Sequence, residues 1–295
     1  MRRCHGDLHL GNICLIDDAP TLFDCLEFNE GLASIDVLYD LAFLLMDLRF
    51  GRHATEAAIV FNRYFDVSDE SDGLALMPLF LSLRAWVRAH VSATAAKLEP
   101  SAEKRALARA YFDFAVALLR HAPPRLIALG GISGTGKSTV AAILAGKTAA
   151  RVLRSDVIRK RRFGVAPEVR LPDRAYAPEV TVEVYAALLD QARFALAAGC
   201  SVIIDAVSAR PHERAAFAAL AAGCGVPFTG IWLEAAPEIL MARVGARHND
   251  ASDADVAILQ KQLTYDFGAM DWRRVDAAPS AEHVADAILD PRAGG

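Results

Sequence analysis

The stretch of residues 130–139, GGISGTGKST, limits what this chain can fold into more than any other part of the sequence. It contains the pattern G-x-x-x-x-G-K-[ST] in full. An apolar run of strand length precedes it at residues 125–129, and residues 140–145, which are rich in good helix formers, follow it. In a strand, glycine loop and helix arranged in this order, backbone N–H groups and the positive end of the helix dipole converge on phosphate oxygens. The stretch therefore predicts a phosphate site, and a glycine-rich turn without a ligand is the alternative.

The pattern also assigns roles within the loop. Lys137 is expected to reach the β- and γ-phosphates of a nucleotide and so to take part in catalysis, and the Ser138 hydroxyl is expected to be a ligand of Mg²⁺. ATP and Mg²⁺ are therefore the predicted cofactors. The residues expected to bind the nucleotide are Gly131, Ser133, Gly134, Thr135, Gly136, Lys137, Ser138 and Thr139.

Length, charge and cysteine usage limit the class of protein. At 295 residues the chain is long enough for two domains with separate cores. The net charge of −4 argues against a dedicated nucleic-acid binder. The five cysteines form no C-x-x-C pair, and we interpret them as buried, reduced thiols in a cytoplasmic protein. The sequence does not open with a signal peptide pattern, and its most apolar long segment, residues 74–89, contains Arg84 and Arg88, so no membrane span is predicted.

Strand and helix patterns alternate after Pro123 and Pro124, which predict a linker because the residue before a proline is disfavoured in a helix. Strands are expected at residues 125–129, 150–154, 201–204, 228–233 and 273–276, with helices between them. This order predicts an α/β three-layer sandwich with a parallel five-stranded sheet over residues 123–295. Ligands of such sheets bind at the carboxyl ends of the strands.

Two aspartates stand where strands of this sheet are expected to end. Asp156 follows the second strand and is predicted to be the general base for a substrate hydroxyl; the alternative is that it caps the next helix. Asp205 ends the buried run SVIID and is predicted to hold Mg²⁺. A strand-end carboxylate held by hydrogen bonds is the alternative for Asp205.

Several arginines follow these aspartates. Arg159, one turn after Asp156, and Arg210 are expected to bind the acceptor. Arg210 and Arg214 are spaced i, i+4, which predicts that both lie on one helix face. A solvated helix face is the alternative for each of these side chains. The basic run of residues 159–162 is also interpreted as a solvated face, with nucleic-acid contact as the alternative.

Arg243 and Arg247 repeat the i, i+4 spacing just before a polar segment, residues 248–253, whose composition is typical of a lid. Phosphoryl transfer needs cations that arrive as the site closes. We therefore expect Arg243 and Arg247 to be catalytic and to close over the phosphates, with a solvated helix face as the alternative for each.

The first part of the chain carries a second motif, HGDLHLGN at residues 5–12. Apolar runs at residues 13–16 and 20–23, joined by residues 17–19, predict a hairpin that ends at Asp24. The spacing is that of a kinase catalytic loop, which predicts Asp7 as the catalytic base and Asn12 and Asp24 as metal ligands. A turn with incidental acidic residues is the alternative. Helices are predicted at residues 36–48, 55–65, 74–95 and 102–119, the last capped by Ser101.

This first part resembles the aminoglycoside phosphotransferase family, whose H-G-D-x-x-x-x-N loop it matches residue by residue. Asp24 matches the metal-binding aspartate of that family, although Cys25 departs from a D-F-G sequence. The resemblance implies that residues 1–122 are a mostly helical fragment of a kinase-like C-lobe. Because only four residues precede His5, the nucleotide lobe of such a kinase is missing, and we expect a truncated gene product or a start codon assigned too late. As it stands, this part is predicted not to transfer phosphate from Asp7.

The second part resembles the AAA-33-type P-loop kinases, which include zeta toxin, chloramphenicol phosphotransferase and polynucleotide and gluconate kinases. The matching residues are the loop GISGTGKS, Ser155 and Asp156 with Arg159, Asp205 with Arg210, and Arg243 with Arg247.

Together the two parts resemble fusions of an aminoglycoside phosphotransferase with an ATP-binding protein. The resemblance implies an ATP-dependent phosphotransferase acting on a hydroxylated small molecule. A regulatory ATP-binding or ATPase module with a kinase-like docking remnant, and a polynucleotide end kinase, are the alternatives.

Overall fold

The computed structural model describes residues 1–26, 30–68, 70–120, 122–246 and 251–290. The chain forms two compact units, one made of Met1–Phe61 with Asp69–Ala122 and the other of Asn62–Ser68 with Pro123–Gly295. The second unit therefore includes a short segment that lies far upstream of its sheet in the sequence.

Short strands and longer helices alternate in the first part of the chain. In order they are β1 (Arg2–Arg3), a 3₁₀ turn (Leu10–Asn12), β2 (Ile13–Ile16), β3 (Ala19–Leu22), α1 (Glu30–Ala33), β4 (Ser34–Ile35), α2 (Val37–Phe50), α3 (Ala54–Val67), a 3₁₀ segment (Ser71–Leu76), α4 (Met77–Leu98) and α5 (Ala102–Leu118). The four predicted helices are confirmed with small shifts at their ends. Ser101 caps α5 as predicted, since its side chain accepts a hydrogen bond from the Lys104 N–H.

The predicted hairpin is confirmed, but its turn is one residue shorter than predicted. Strands β2 and β3 are antiparallel with Ile16 opposite Ala19, which leaves Asp17 and Asp18 as the loop. Their φ angles are 51° and 60°. A two-residue hairpin loop favours positive φ at both positions, and aspartate adopts that conformation more readily than most residues.

One helical stretch among the described residues, Ser71–Leu98, is long and apolar enough to cross a membrane, judged by length and composition alone. The charged residue near its centre makes its contacts inside the fold. Arg84 is buried, and its Nε donates to the carbonyl of Tyr39 at 3.0 Å. A core helix of this composition meets the same criteria, and the absence of a span stays a prediction.

The second unit alternates strands with helices as the sequence predicts. Its elements are β5 (Leu126–Gly130), α6 (Lys137–Thr148), β6 (Arg151–Arg154), α7 (Ser155–Arg162), a 3₁₀ turn (Asp173–Tyr176), α8 (Pro178–Ala197), β7 (Val202–Asp205), α9 (Pro211–Cys224), β8 (Phe228–Glu234), α10 (Pro237–Gly245), α11 (Val256–Leu263), β9 (Arg273–Asp276) and α12 (Ala281–Leu289). Helix α11 was not predicted. Asp255 caps it by accepting from the Ile258 N–H at 3.0 Å.

In the described residues, the five strands of this unit form one parallel sheet in the order β6-β7-β5-β8-β9. Every residue of β5 and β7 is buried, as expected for central strands covered by helices on both faces. The chain leaves β5 towards one side of the sheet and later returns to its other side at β8. The carboxyl end of β5 is thus the point where the strand order reverses, which is where ligands of such sheets bind.

Strand β6 lies at the edge of the sheet, and the Asn62 side chain occupies its free backbone groups. The Asn62 Oδ1 accepts from the Val152 N–H at 2.7 Å, and Nδ2 donates to the Ala150 carbonyl at 3.2 Å. The guanidinium of Arg151 donates to Asn62 Oδ1 at 2.9 Å and to Asp66 at 2.7 Å. These bonds explain why Asn62–Ser68 belongs to the second unit.

The cysteines only partly match the prediction. All five are free thiols, but Cys25 is exposed and the other four are half-buried rather than buried. The prediction that these thiols are buried was therefore wrong.

Candidate active site

The glycine loop leaves the carboxyl end of β5 and leads into α6. Gly131, Gly134 and Gly136 have φ angles of 135°, 86° and 81°, which residues with a Cβ rarely adopt. A Cβ on Gly131 would lie 2.5 Å from the Leu233 carbonyl oxygen, and one on Gly134 would lie 2.7 Å from the Leu240 carbonyl oxygen. Backbone conformation and space together require glycine at both positions.

Replacing Gly134 with alanine is expected to destabilise the protein by about 1–3 kcal/mol beyond the conformational cost of positive φ, because the methyl group meets backbone atoms of α10. Gly199→Ala is the matched control, since Gly199 has a φ of 80° and a Cβ added there would meet no atom within 4 Å. Urea denaturation of the two variants measures the difference. Equal losses of unfolding free energy would show that the contact with Leu240 is unimportant.

Helix α11 supports this loop from the side. The Ser133 N–H donates to Gln262 Oε1 at 2.8 Å, and Gln262 is buried. Gln262 was not identified from the sequence because the two residues are 129 positions apart. The apolar spacing of Val256, Leu259 and Leu263 after a capping aspartate is the signal that could have revealed the helix.

A cavity of about 480 Å³ opens beside the glycine loop. Its walls come from the loop with the start of α6, from the ends of β6 and β7, and from residues around α10 and α12. The described residues that line it include these members of the predicted site: Ser133, Gly134, Thr135, Gly136, Lys137, Ser138, Thr139, Asp156, Asp205 and Arg243.

The ammonium of Lys137 lies over the glycine loop. Its Nζ donates to the Ile132 carbonyl at 3.0 Å and lies 3.5 Å from Thr135 Oγ1. Thr135 Oγ1 in turn donates to the same carbonyl at 2.8 Å. The structure thus brings the lysine charge next to the loop's backbone N–H groups, where phosphate oxygens are bound in loops of this kind.

Ser138 and Asp205 meet at the carboxyl end of the sheet. Ser138 Oγ donates to Asp205 Oδ2 at 2.6 Å, and Arg154 Nε lies 3.3 Å from the same carboxylate oxygen. A hydroxyl and a carboxylate are hard oxygen donors of the type that Mg²⁺ prefers. The donor set therefore fits the predicted metal.

The described part of the chain holds no group of three or more His, Cys, Asp or Glu side chains placed to bind a metal by themselves. Mg²⁺ does not need such a cluster, because it usually keeps several waters and binds one or two protein groups together with substrate phosphates.

Asp156 lies in the first turn of α7 and lines the cavity. The helix begins at Ser155, and Arg154 occupies the capping position, so the interpretation of Asp156 as the cap was wrong. Burial raises the pKa of the Asp156 carboxyl, and the charge of Asp205 raises it further, against the opposing effects of Arg154, Lys137 and Arg159. A carboxylate with raised proton affinity beside the predicted phosphate site is suited to accept a proton.

Arg159 lies one turn further along α7 and is buried. Its Nη1 donates to the Ala175 carbonyl at 2.7 Å, its Nη2 donates to Thr181 Oγ1 at 3.3 Å, and its Cζ lies 4.9 Å from the centre of the Tyr176 ring. The guanidinium is close enough to Asp156 to lower the pKa of that carboxyl. It therefore organises the segment beside Asp156.

The basic run of residues 159–162 is not the solvated face that the sequence suggested. Arg159 is 5% exposed and Lys160 is fully buried, whereas Arg161 and Arg162 are exposed. The sequence alone does not show whether the charged group of such a residue faces water or a buried carboxylate.

The prediction that Arg210 and Arg214 share a helix face was wrong, because α9 begins at Pro211. Arg210 precedes the helix and is exposed, away from the cavity lining. Arg214 is fully buried, and its guanidinium donates to four carbonyls, those of Ser208, Ala209, Phe267 and Ala269. In this structure Arg214 therefore fixes the backbone at these four carbonyl groups.

Of the two predicted closing arginines, the structure describes one. Arg243 lines the cavity, and its Nη1 donates to the Ala277 carbonyl at 2.8 Å and its Nη2 to the Ala278 carbonyl at 3.2 Å. Arg247 lies outside the described residues, so its predicted role stays a prediction.

In the first unit, Asp7 and Asn12 form a compact loop. Asn12 Nδ2 donates to the Asp7 carbonyl at 3.0 Å and to its Oδ2 at 3.2 Å. Backbone hydrogen bonds from Phe23 N–H to Asn12 and from Leu26 N–H to His5 hold the strand end that carries Asp24 alongside this loop. Asp24 itself is exposed and has a φ of 57°.

Asp40 and Arg84 support that loop and were not singled out from the sequence. The Asp40 carboxylate accepts from the N–H groups of His5 and Gly6, each at 3.0 Å, and Arg84 Nη2 donates to the Gly6 carbonyl at 3.3 Å. Burial raises the pKa of Asp40 despite the neighbouring Arg84. In the sequence, Asp40 and Arg84 are each a charged residue within a mostly apolar helix pattern. This is the signal that could have revealed them.

Most of the second unit matches a known sequence family. A family described as AAA domain matches residues 126–265, a range that contains the glycine loop, Asp156, Asp205 and Arg243. Uncharacterized proteins of Mycobacterium tuberculosis and Mycobacterium bovis are 33% identical over 287 residues, which cover 94% of this chain and 56% of each relative. The chain thus spans a little over half the length of these curated relatives.

Among solved structures, a sugar kinase from Janibacter sp. HTCC2649 is 20% identical with a TM-score of 0.42, covering 57% of this chain and 93% of that one. A gluconokinase from Sinorhizobium meliloti 1021 is 22% identical with a TM-score of 0.40, covering 58% of this chain and 91% of that one.

Proposed function

We propose that the second unit is an ATP-dependent phosphotransferase that moves the γ-phosphoryl group to a hydroxyl of a small molecule. One observation carries the proposal: the hydrogen-bonded pair of Ser138 and Asp205 and the carboxyl of Asp156 line the same cavity as the glycine loop. A phosphate cradle, hard oxygen donors and a base are the parts that phosphoryl transfer requires. The AAA domain match over this region supports nucleotide binding.

Each part has a proposed task. The backbone of residues 131–139 and the Lys137 ammonium hold the triphosphate. Ser138 and Asp205 would hold Mg²⁺, which when bound neutralises charge on the phosphate oxygens. Asp156 accepts the proton of the acceptor hydroxyl while the acceptor oxygen bonds to the γ-phosphorus and the bond to the β-phosphate oxygen breaks, so that ADP leaves.

The end of the cavity near α12 suits a nucleobase. Ala277, Pro279, Ala281 and Val284 line it, and their side chains are apolar. Arg243, fixed by the carbonyls of Ala277 and Ala278, adds a flat cation that can stack on an aromatic ring. We therefore propose that Arg243 contacts the nucleobase and that closure over the phosphates depends on Arg247.

The acceptor is proposed to enter beside Asp156, at the end of the cavity towards α7. Arg159 is on the same helix as Asp156 and lowers the pKa of that carboxyl, although less than Arg154 and Lys137 do, whereas Arg210 is exposed and precedes α9. Neither arginine is among the residues that line the cavity. The acceptor role proposed for arginine thus depends on Arg159.

Residues 1–122 are proposed to be a kinase-like C-lobe fragment with the domain boundary at Pro123, although Asn62–Ser68 belongs to the second compact unit. The arrangement of Asp7 with Asn12, supported by Asp40, is the observation in its favour. Asn12 and Asp24 would be its metal ligands. A docking role is the alternative for this unit.

The full-length chain, incubated with Mg²⁺ and ATP and with pools of sugars, aminoglycosides or nucleosides, tests the proposed function. We expect at least one pool to raise ADP release by about tenfold or more, and Lys137→Met to remove that increase because the lysine acts on the transferred phosphoryl group. Slow ADP release that no pool changes would favour the regulatory ATPase instead. ADP release that Lys137→Met leaves unchanged would contradict a site at the glycine loop.

A further inference from the structure

A buried ion pair lies next to the proposed site and is not among the residues proposed to bind the nucleotide, the metal or the acceptor. Lys160, on α7, is fully buried, and its Nζ donates to Asp253 Oδ1 at 2.6 Å. Asp253 Oδ2 accepts from the Leu171 N–H at 2.9 Å and from the Tyr176 hydroxyl at 2.6 Å. Three donors from two separate segments therefore meet on one carboxylate.

The charge state of this cluster is fixed by its contacts. Burial favours the neutral acid, but the bonds from Lys160, Tyr176 and Leu171 outweigh it and hold the pKa of Asp253 below its ordinary value. Burial and the bond to Asp253 raise the pKa of Tyr176, so the phenol stays neutral and donates. Removing one member of such a pair leaves an uncompensated buried charge, whereas replacing both members with apolar groups is often neutral for stability.

The cluster lies between the cavity wall and the proposed acceptor end. On one side, Ser252 precedes Asp253 in the chain and lines the cavity. On the other side, the Tyr176 ring lies against the Arg159 guanidinium, which also donates to the Ala175 carbonyl. Helix α7, which carries Lys160, also carries Asp156.

We infer that Asp253 is a positioning residue, which couples the cavity wall at Ser252 to the acceptor end formed by Arg159 and Tyr176. The inference rests on the proposed function and deepens it. When a nucleotide orders the wall at Ser252, the bonds of Asp253 order residues 171–176 and hence the surroundings of Asp156. The acceptor end is then completed by nucleotide binding, although the nucleotide does not touch it.

Hydrogen exchange of the full-length chain, with and without Mg²⁺ and a non-hydrolysable ATP analogue, tests the coupling without any acceptor. In the wild type we expect the analogue to slow exchange in residues 131–140, 251–259 and 165–177. In Asp253→Asn the analogue should still slow exchange in residues 131–140, but the protection of residues 165–177 should fall by about tenfold or more, since a hydrogen bond to a charged group is lost. Asp255→Asn is the matched control, because the pair of Asp255 with Arg170 is exposed and asparagine can still cap α11.

A double variant separates positioning from a merely structural role. Lys160→Met with Asp253→Leu removes both buried charges, so the unfolding midpoint should recover relative to Asp253→Asn while the protection of residues 165–177 stays lost. Once an acceptor is known, the same double variant should raise its KM and leave the KM for ATP unchanged, and Tyr176→Phe should do so in part.

The possible failures are distinguishable. Full protection of residues 165–177 in Asp253→Asn, or its recovery in the double variant, would overturn the coupling and leave the phosphotransferase proposal intact. Absence of protection in residues 131–140 of the wild type would contradict the nucleotide site, and the coupling with it.

Discussion

Asp156→Asn is expected to slow phosphoryl transfer by about 10²–10⁴-fold while nucleotide binding is retained, because the amide cannot accept the hydroxyl proton. Initial rates with a saturating acceptor measure the first effect, and calorimetric titration with the ATP analogue measures the second. Asp190→Asn is a suitable control, since Asp190 is exposed and its carboxylate pairs only with an arginine on the same helix, Arg193, in the contacts described. Equal transfer rates for Asp156→Asn and the wild type would remove Asp156 as the base.

The pH dependence of phosphoryl transfer provides a second test of Asp156 as the base. Because burial and Asp205 raise the pKa of Asp156, the group is protonated, and cannot accept a proton, up to a higher pH than an ordinary aspartate with a pKa of about 3.9. The wild-type rate should therefore rise with pH through a midpoint above that value. The residual rate of Asp156→Asn should lack this rise.

Arg214→Met is expected to lower the free energy of unfolding by about 3–5 kcal/mol, because it removes a buried charged donor and leaves its acceptors without partners. The guanidinium donates to the carbonyls of Ser208 and Ala209 at 2.9 and 3.0 Å and to those of Phe267 and Ala269 at 2.7 Å each. Such a loss is a large part of the roughly 5–15 kcal/mol that is typical of a folded domain. Urea denaturation of the full-length chain measures it.

Two further variants sharpen this stability test. Arg214→Lys should recover little of the loss, since an ammonium cannot reproduce the planar fork that spans four carbonyls. Arg193→Met, at an exposed pair, should change the free energy of unfolding by less than about 1 kcal/mol. A midpoint for Arg214→Met equal to that of Arg193→Met would show that the four bonds do not stabilise the fold.

The centre of the sheet could be predicted from the sequence because β5 and β7 are short, mostly apolar runs. The run that ends at Asp205 and the run that leads into the glycine loop are fully buried, and burial on both faces is what removes the polar alternation from a strand. The polar residues after such runs were therefore expected at one edge of the sheet. Asp156, Asp205 and Lys137 do line one cavity there.

The arginines and lysines could not be placed in the same way. Spacing along a helix tells which residues share a face, but not whether that face meets water or a carbonyl group from a distant segment. Arg214 contacts Phe267 and Ala269, more than fifty residues away, and Lys160 contacts Asp253, 93 residues away. Local sequence holds no record of such partners. Local sequence could have predicted that α9 starts at Pro211, because proline favours the first helical position. That start separates Arg210 from Arg214.

The contact of Asn62 with β6 makes the second unit a discontinuous domain. An edge strand with free N–H and C=O groups is a template for pairing with another chain, and here the Asn62 amide occupies the groups of Val152 and Ala150. A fragment that started at Pro123 would contain every strand of the sheet described above and still be open at β6, with Arg151 separated from Asn62 and Asp66. A recombinant fragment made to test the proposed phosphotransferase should therefore retain α3.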